Sequence, residues 1–133
     1  MGQRVIKFRA WDGKRMLYSA NGEFYWNSDM SNVQIASSTG HEFYDKPYPF
    51  MQFTGLLDNN GKEIYEGDIM QGPSIQKSYR VDIGKVIYFE DYGAYIVQGK
   101  YSKNQHHENL TCDIAIDFEI VGNIHETKEL LNQ

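Results

Sequence analysis

The chain lacks most of what would announce a familiar activity or compartment. It has one cysteine, Cys112, so no intramolecular disulfide can form, in keeping with a reducing cytosol. The N-terminus carries no apolar run of the signal-peptide kind, and no stretch approaches the roughly eighteen apolar residues of a membrane span. The expectation is a cytoplasmic protein with no membrane partner. There is no G-x-x-x-x-G-K-S/T or G-x-G-x-x-G phosphate loop and no G-x-S-x-G nucleophile elbow. Positive charge is scarce: 13 basic against 18 acidic residues leave a formal net charge of −5. That argues against general affinity for nucleic acid, which needs a basic surface. Internal repeats, low-complexity segments and linkers are absent too.

What is present points to strands. Aromatic residues make up 14% of the chain, ten of them tyrosines, a composition that suits half-buried pleated surfaces. With 133 residues the chain is of single-domain size and can bury a core of about two-thirds of its unfolded surface.

The densest stretch runs from Met51 to Ile69. Asn60-Gly61 lies between apolar runs and predicts a two-residue hairpin turn of type I′, with positive φ at both residues. Residues 50–57 then pair with 62–70. Ile64 and Ile69 are five positions apart, an odd number that would send them to opposite faces of a regular strand. A kink at Gly67 returns both to the core. Asp68 beside it is placed to cap main-chain N–H groups that the kink removes from the ladder.

Elsewhere, residues 5–11 read as a strand, with Ile6, Phe8 and Ala10 on one face and Lys7 and Arg9 on the other. Asp12-Gly13 turns it into a return strand over 14–18. Lys7, Arg9, Lys14 and Arg15 then share the outer face of this hairpin, as a solvated edge or an anion site. Residues 19–48 form an irregular insertion. Phe24-Tyr25-Trp26 and Val33-Gln34-Ile35 are its short strand candidates, Ser37 to His41 its loop, and Tyr44, Tyr48 and Phe50 core or contact residues. Pro47 and Pro49 bracket an extended entry to the central hairpin. Gly72-Pro73-Ser74 is a turn. Odd positions from Tyr79 to Phe89 are apolar except Lys85, while Arg80, Asp82 and Glu90 are polar. That predicts a half-buried strand bent at Gly84. Asp91-Tyr92-Gly93 turns into a strand over 94–97, and residues 99–111 form a polar loop. Cys112, Ile114, Ile116, Phe118 and Ile120 alternate with polar residues and predict a strand over 112–120, ended by Gly122-Asn123. Residues 128–131 make a helical turn. The sum is an all-β domain built on a twisted antiparallel barrel of about five strands.

Three stretches carry a family resemblance: Ile6-Lys7-Phe8-Arg9-Ala10-Trp11-Asp12, the central Met51–Ile69, and Phe118-Glu119-Ile120-Val121-Gly122-Asn123-Ile124. In this order they resemble the YopX family of phage and prophage proteins. The resemblance implies a small SH3-like β-barrel with additions, encoded by a phage or prophage, and brings no catalytic residues with it. One 1–133 domain follows, with hairpin and insertion over 1–48 and barrel core over 49–133. The family tends to close with Glu-Asn-Pro-Glu-Leu-Leu. Here Glu126-Thr127-Lys128-Glu129-Leu130-Leu131 stands instead, so Thr127 keeps a capping hydroxyl without the stiffening proline.

Candidate chemistry is thin. His106-His107-Glu108, with His125, has metal-ligand types, but adjacent histidines on an extended chain point apart and no i, i+4 pair exists. Cys112 alternates with core isoleucines and reads as a small buried hydrophobe. Glu63, Glu66 and Asp68 lack any oxyanion donor or metal partner, so they read as turn residues. No cofactor is expected. Gly55, Asn60, Gly61, Gly67, Asp68 and Gly122 form a structural motif that specifies the backbone. The expected function is a non-enzymatic accessory module meeting a host or phage protein through aromatic side chains, with self-association left open. The alternative is nucleic-acid binding through exposed aromatics and the Lys7, Arg9, Lys14, Arg15 face.

Overall fold

The computed structural model describes residues 5–26, 29–31, 33–34, 48–73, 81–99 and 107–132. Expectations for Ile35, the Ser37–His41 loop, Tyr44, Pro47, Ser74, Tyr79, Arg80 and residues 100–106, His106 included, lie outside the described residues. The chain is mainly β and divides into two compact units, residues 1–53 and 54–133.

In the first unit, β1 (Phe8–Trp11) pairs antiparallel with β2 (Met16–Tyr18), with Trp11 opposite Met16. A short 3-10 turn follows at Ser19–Asn21. The two strand candidates of the insertion meet, β3 (Tyr25–Trp26) against β4 (Val33–Gln34). The far side of β1 pairs with the start of β5 (Phe50–Leu57), Phe8 opposite Gln52. Ala10, Leu17, Phe24 and Val33 form the core of this unit, with Phe8, Trp26 and Tyr48 packed on it. The strand begins later than the alternation suggests: Val5 and Ile6 are exposed.

The second unit opens with the end of β5, which runs beside β6 (Glu63–Tyr65). The Thr54 hydroxyl donates to the Ile64 carbonyl at 2.8 Å. The chain then breaks and restarts as β7 (Asp68–Gln71). β8 (Ile83–Phe89), β9 (Ala94–Gly99), β10 (His107–Asn109) and β11 (Glu119–Asn123) complete a five-stranded antiparallel sheet in the order β10-β9-β8-β7-β11. The expected single strand over 62–70 is thus two strands, and β7 belongs to a different sheet from β6. Gly67, with φ +86°, sits at the break, and Ile64 and Ile69 are both fully buried. Ile69 and Met70 are also buried in succession. Neighbours on a strand point to opposite faces, so both faces of the sheet are covered at β7.

That double covering corrects the reading of residues 79–89. Gly84 and Val86, at even positions, are fully covered, whereas Ile83, Ile87 and Phe89 are only half-buried. The even face meets the main core of Ile64, Met70, Val81, Val97, Leu110, Ile114 and Phe118. The C-terminal 3-10 segment Lys128–Asn132 lies against β7 and β8. Apolar residues therefore fall on both faces, and alternation alone cannot say which is deeper. Gly84 is required by packing, because a Cβ there would collide with the Gln98 carbonyl.

The largest correction falls on residues 112–120. They form a helix, α1 (Cys112–Asp117), followed by β11. Thr111 caps the helix: its hydroxyl accepts from the Ile114 N–H at 3.3 Å, and Asp113 adds an acid to the first turn, both favourable at a helix start. The buried residues are Ile114, Ala115 and Phe118, while Ile116 is 67% exposed. That is helical spacing. Cys112 is exposed, not a buried hydrophobe. The polar 99–111 segment also contains structure, since β10 pairs with β9 along His107–Asn109.

Candidate functional site

The central motif is a scaffold built on two buried carboxylates. Asp58 begins the loop between β5 and β6. Its Oδ1 accepts from the main-chain N–H of Asn60 (2.9 Å) and Lys62 (2.8 Å), and its Oδ2 from Ile120 (2.9 Å). Its own N–H donates to the Lys62 carbonyl, and its carbonyl accepts from Gly61 N–H at 3.0 Å. Gly61 has φ +79°, while Asn60 is not in the positive-φ region. This is a three-residue loop with a bulge at Gly61, not the two-residue type I′ turn, which needs positive φ twice. The side chain of Asp58 favours the wider loop by holding Asn60 and Lys62 together. Asn59 N–H donates to the Phe118 carbonyl and Asn60 Nδ2 to Glu119 Oε1, so the loop is sewn to the start of β11.

Asp68, 2% exposed, accepts from the Tyr65 N–H at 2.8 Å across the Glu66-Gly67 break. Gly67 N–H donates to the Val86 carbonyl and Gly67 O accepts from Ile124 N–H. Gly67 therefore ties β8 and the end of β11 to one point. Gly122 is fixed by close approach, because a Cβ would strike the Thr127 hydroxyl. That hydroxyl accepts from the Asn123 N–H at 2.9 Å. Gly55 has φ +90° on an exposed part of β5. Asp58 thus has both oxygens occupied by main-chain donors.

The four cations of the N-terminal hairpin do not share one open face. Arg9 is 4% exposed. Lys7 Nζ lies 4.9 Å from the Phe53 ring centroid, a cation–π distance. Arg15 pairs with Glu23 at 2.6 Å. Glu23 also accepts from Tyr18 N–H and Asn21 Nδ2. The Arg15 guanidinium, then these two donors, hold the Glu23 carboxyl below its ordinary value. Asp12 is held low chiefly by the Arg15 main-chain N–H, with help from that of Lys14, each 2.7 Å from Oδ1. Lys14 remains exposed at the tip.

Among the described residues, aromatic side chains gather in two places. In the first unit, Trp26 meets Phe8 and Phe50 edge-on, with centroids 5.1 and 4.9 Å apart; Phe50 is 41% exposed. In the second, the β8–β9 hairpin carries Tyr88 across from Tyr95 (5.4 Å). At its tip, Phe89 meets Tyr92 (4.8 Å), and His107 from β10 stacks on Phe89 (6.4 Å) and tilts against Tyr92 (5.5 Å). Tyr88 and Tyr92 are 47% and 56% exposed. The exposed residues Glu90 and Asp91 stand between them. By sequence alone Tyr92 falls in a turn and His107 in a loop. The strand pairing of β9 with β10 brings them together, and no local signal announces it. Asp58, by contrast, precedes Asn59-Asn60-Gly61, a usual position for an Asp that starts a turn. Among the described residues no three His, Cys, Asp or Glu side chains group to hold a metal, and no helix is long and apolar enough to cross a membrane.

Residues 7–132 match the family model described as YopX protein. Among solved structures the chain is similar to protein EF1440 from Enterococcus faecalis, at 27% identity and a TM-score of 0.51, covering 97% of this chain and 99% of that one. It is also similar to protein yopX from Bacillus subtilis, at 18% identity and a TM-score of 0.56, covering 94% and 95%. The second likeness is one of fold alone. No curated protein matches the sequence.

Proposed function

The chain belongs to the YopX family, and from that premise we propose a non-enzymatic accessory protein, phage- or prophage-encoded and working in the bacterial cytoplasm. Its second unit acts as an SH3-like module that binds another protein. The observation that carries this reading is the aromatic end of the β8–β9 hairpin. Two large tyrosine rings stand in solvent on its two faces, Tyr88 beside Tyr95 on one and Tyr92 against Phe89 and His107 on the other. Tyrosines of this kind present much contact area with few rotors to freeze, which is why they dominate binding hot spots. The buried polar groups of the central motif support the role indirectly: Asp58 and Asp68 are spent on main-chain donors, so the motif holds the surface in place.

The test is affinity capture of the tagged protein from its bacterial host, beside a Tyr88→Ala/Tyr92→Ala variant of matched thermal stability. A protein held by the wild type and lost by the variant supports the reading. An identical captured set overturns it. Capture of nucleic acid that falls steeply with added salt favours phosphate binding in its place.

A further inference from the structure

We propose that Asn60 is a site of spontaneous deamidation, gated by opening of the 58–62 loop, and that the conversion stops the loop from docking again on β11. The chemistry is that of an asparagine followed by glycine. Gly61 has no side chain, and the space where a Cβ would stand is open, so no side chain of its own crowds its main-chain nitrogen. That nitrogen attacks the side-chain carbonyl carbon of Asn60. A bond forms between Gly61 N and Asn60 Cγ, the side-chain nitrogen leaves as ammonia with the proton from Gly61, and a five-membered imide remains. Water opens the imide. Cleavage at Cγ returns an aspartate; cleavage at the main-chain carbonyl leaves an isoaspartate whose backbone runs through the former side chain. One water enters, one ammonia leaves, and no oxidant or cofactor takes part.

In the closed loop both reacting groups are held. Gly61 N–H donates to the Asp58 carbonyl at 3.0 Å. Asn60 N–H donates to Asp58 Oδ1 at 2.9 Å, and Asn60 Nδ2 donates to Glu119 Oε1 at 3.3 Å. The reaction therefore belongs to the opened loop, and its rate follows the open population. The product cannot resume the old contacts. A carboxylate replaces the Nδ2 donor and faces Glu119, close to Asp58, so attraction turns to like-charge repulsion. The isoaspartate also lengthens the main chain between Asn59 and Gly61, which takes Gly61 and Lys62 out of register with Asp58. Asn21-Gly22 is an internal comparison: Asn21 Nδ2 donates to Glu23 Oε1 and Gly22 N–H to the Ser19 carbonyl. Among the described residues these contacts are local, within four positions of Asn21.

The full chain is incubated in mildly alkaline buffer at physiological temperature, with and without urea, and mapped by peptide mass spectrometry. The readout is the mass gain of an amide turned acid. In urea Asn21 and Asn60 are expected to convert alike. In native buffer Asn60 should convert roughly tenfold or more slowly than in urea and more slowly than Asn21. Asp58→Ala should bring the native rate at Asn60 towards the urea rate. Glu119→Ala, which removes an exposed acceptor and leaves the fold intact, should raise it by a smaller factor. Asn60→Asp should melt at lower temperature than wild type, and Asn60→Gln close to it. Equal native and urea rates at Asn60, no conversion there in urea, or wild-type melting of Asn60→Asp would each overturn the proposal.

Discussion

The Oδ2 atom of Asp58 accepts a hydrogen bond from the main-chain N–H of Ile120, 2.9 Å away and 62 positions later in the chain. One side chain thereby closes its own turn and secures the first residues of β11. A buried carboxylate that satisfies three main-chain donors is costly to remove, because the donors are left without a partner. Asp58→Ala should lower the unfolding free energy by about 3 kcal/mol or more. The check is the denaturant midpoint, with Asp58→Asn losing less because its amide oxygen still accepts.

Asp68 should behave as a smaller version of the same anchor. Removing its acceptor from the Tyr65 N–H at a site 2% exposed should cost about 1–3 kcal/mol. Asp68→Ala should therefore melt early whether or not a partner is present. A variant with wild-type melting that no longer captured a partner would make the motif a binding site.

Gly61 tests the backbone alone. Its φ is +79° and a Cβ there meets nothing within 4 Å, so any loss on substitution comes from conformation and not from collision. Gly61→Val should cost about 1–3 kcal/mol, and Gly61→Asn less, since Asn tolerates the left-handed region. Chemical denaturation of both variants separates the two costs.

The helix over Cys112–Asp117 reverses what the alternation of residues 112–120 would predict. Ile114 is 8% exposed and Ile116 is 67% exposed. Ile114→Asp should unfold the second unit by burying a charge, whereas Ile116→Asp should be tolerated. Circular dichroism melts of the pair decide it: equal damage from both would restore the strand.

Asp12 and Glu23 set a pH dependence in the first hairpin. Both carboxyls are held below their ordinary values of 3.8 and 4.5. A carboxylate with a lowered folded-state pKa contributes stability that is complete above its unfolded value and lost as pH falls through the folded one. The hairpin contacts should thus be intact at neutral pH and loosen in acid, below those ordinary values. Amide chemical shifts of Arg15 and Tyr18 followed against pH should show it, and Glu23→Gln should abolish the Tyr18 response. Added salt should weaken the exposed Arg15–Glu23 pair as well.

What could be read from sequence was local. Asp12-Gly13 and Asn60-Gly61 mark turns because their chemistry allows little else, and the odd spacing of Ile64 and Ile69 requires a break that Gly67 supplies with φ +86°. A helical turn at Lys128–Leu131 was equally local, and Lys128–Asn132 forms a 3-10 segment. Tertiary structure decided everything that depends on which surface covers which. Ile114, Ile116, Phe118 and Ile120 fit a strand by period, yet Thr111 caps a helix: Ile114, Ala115 and Phe118 enter the core, Ile120 packs against it, and Ile116 is left in solvent. β8 shows apolar residues to both faces because both are covered, so period two loses its meaning there. Arg9 is buried and Arg15 is paired, which dissolves a basic face that spacing alone would assemble. Asp58 finds Ile120, and Tyr92 finds His107, only once β11 and β10 have been laid beside their neighbours. A hydrogen bond or ring contact between residues far apart in sequence has no periodicity to betray it; it exists because the sheet has already chosen its order.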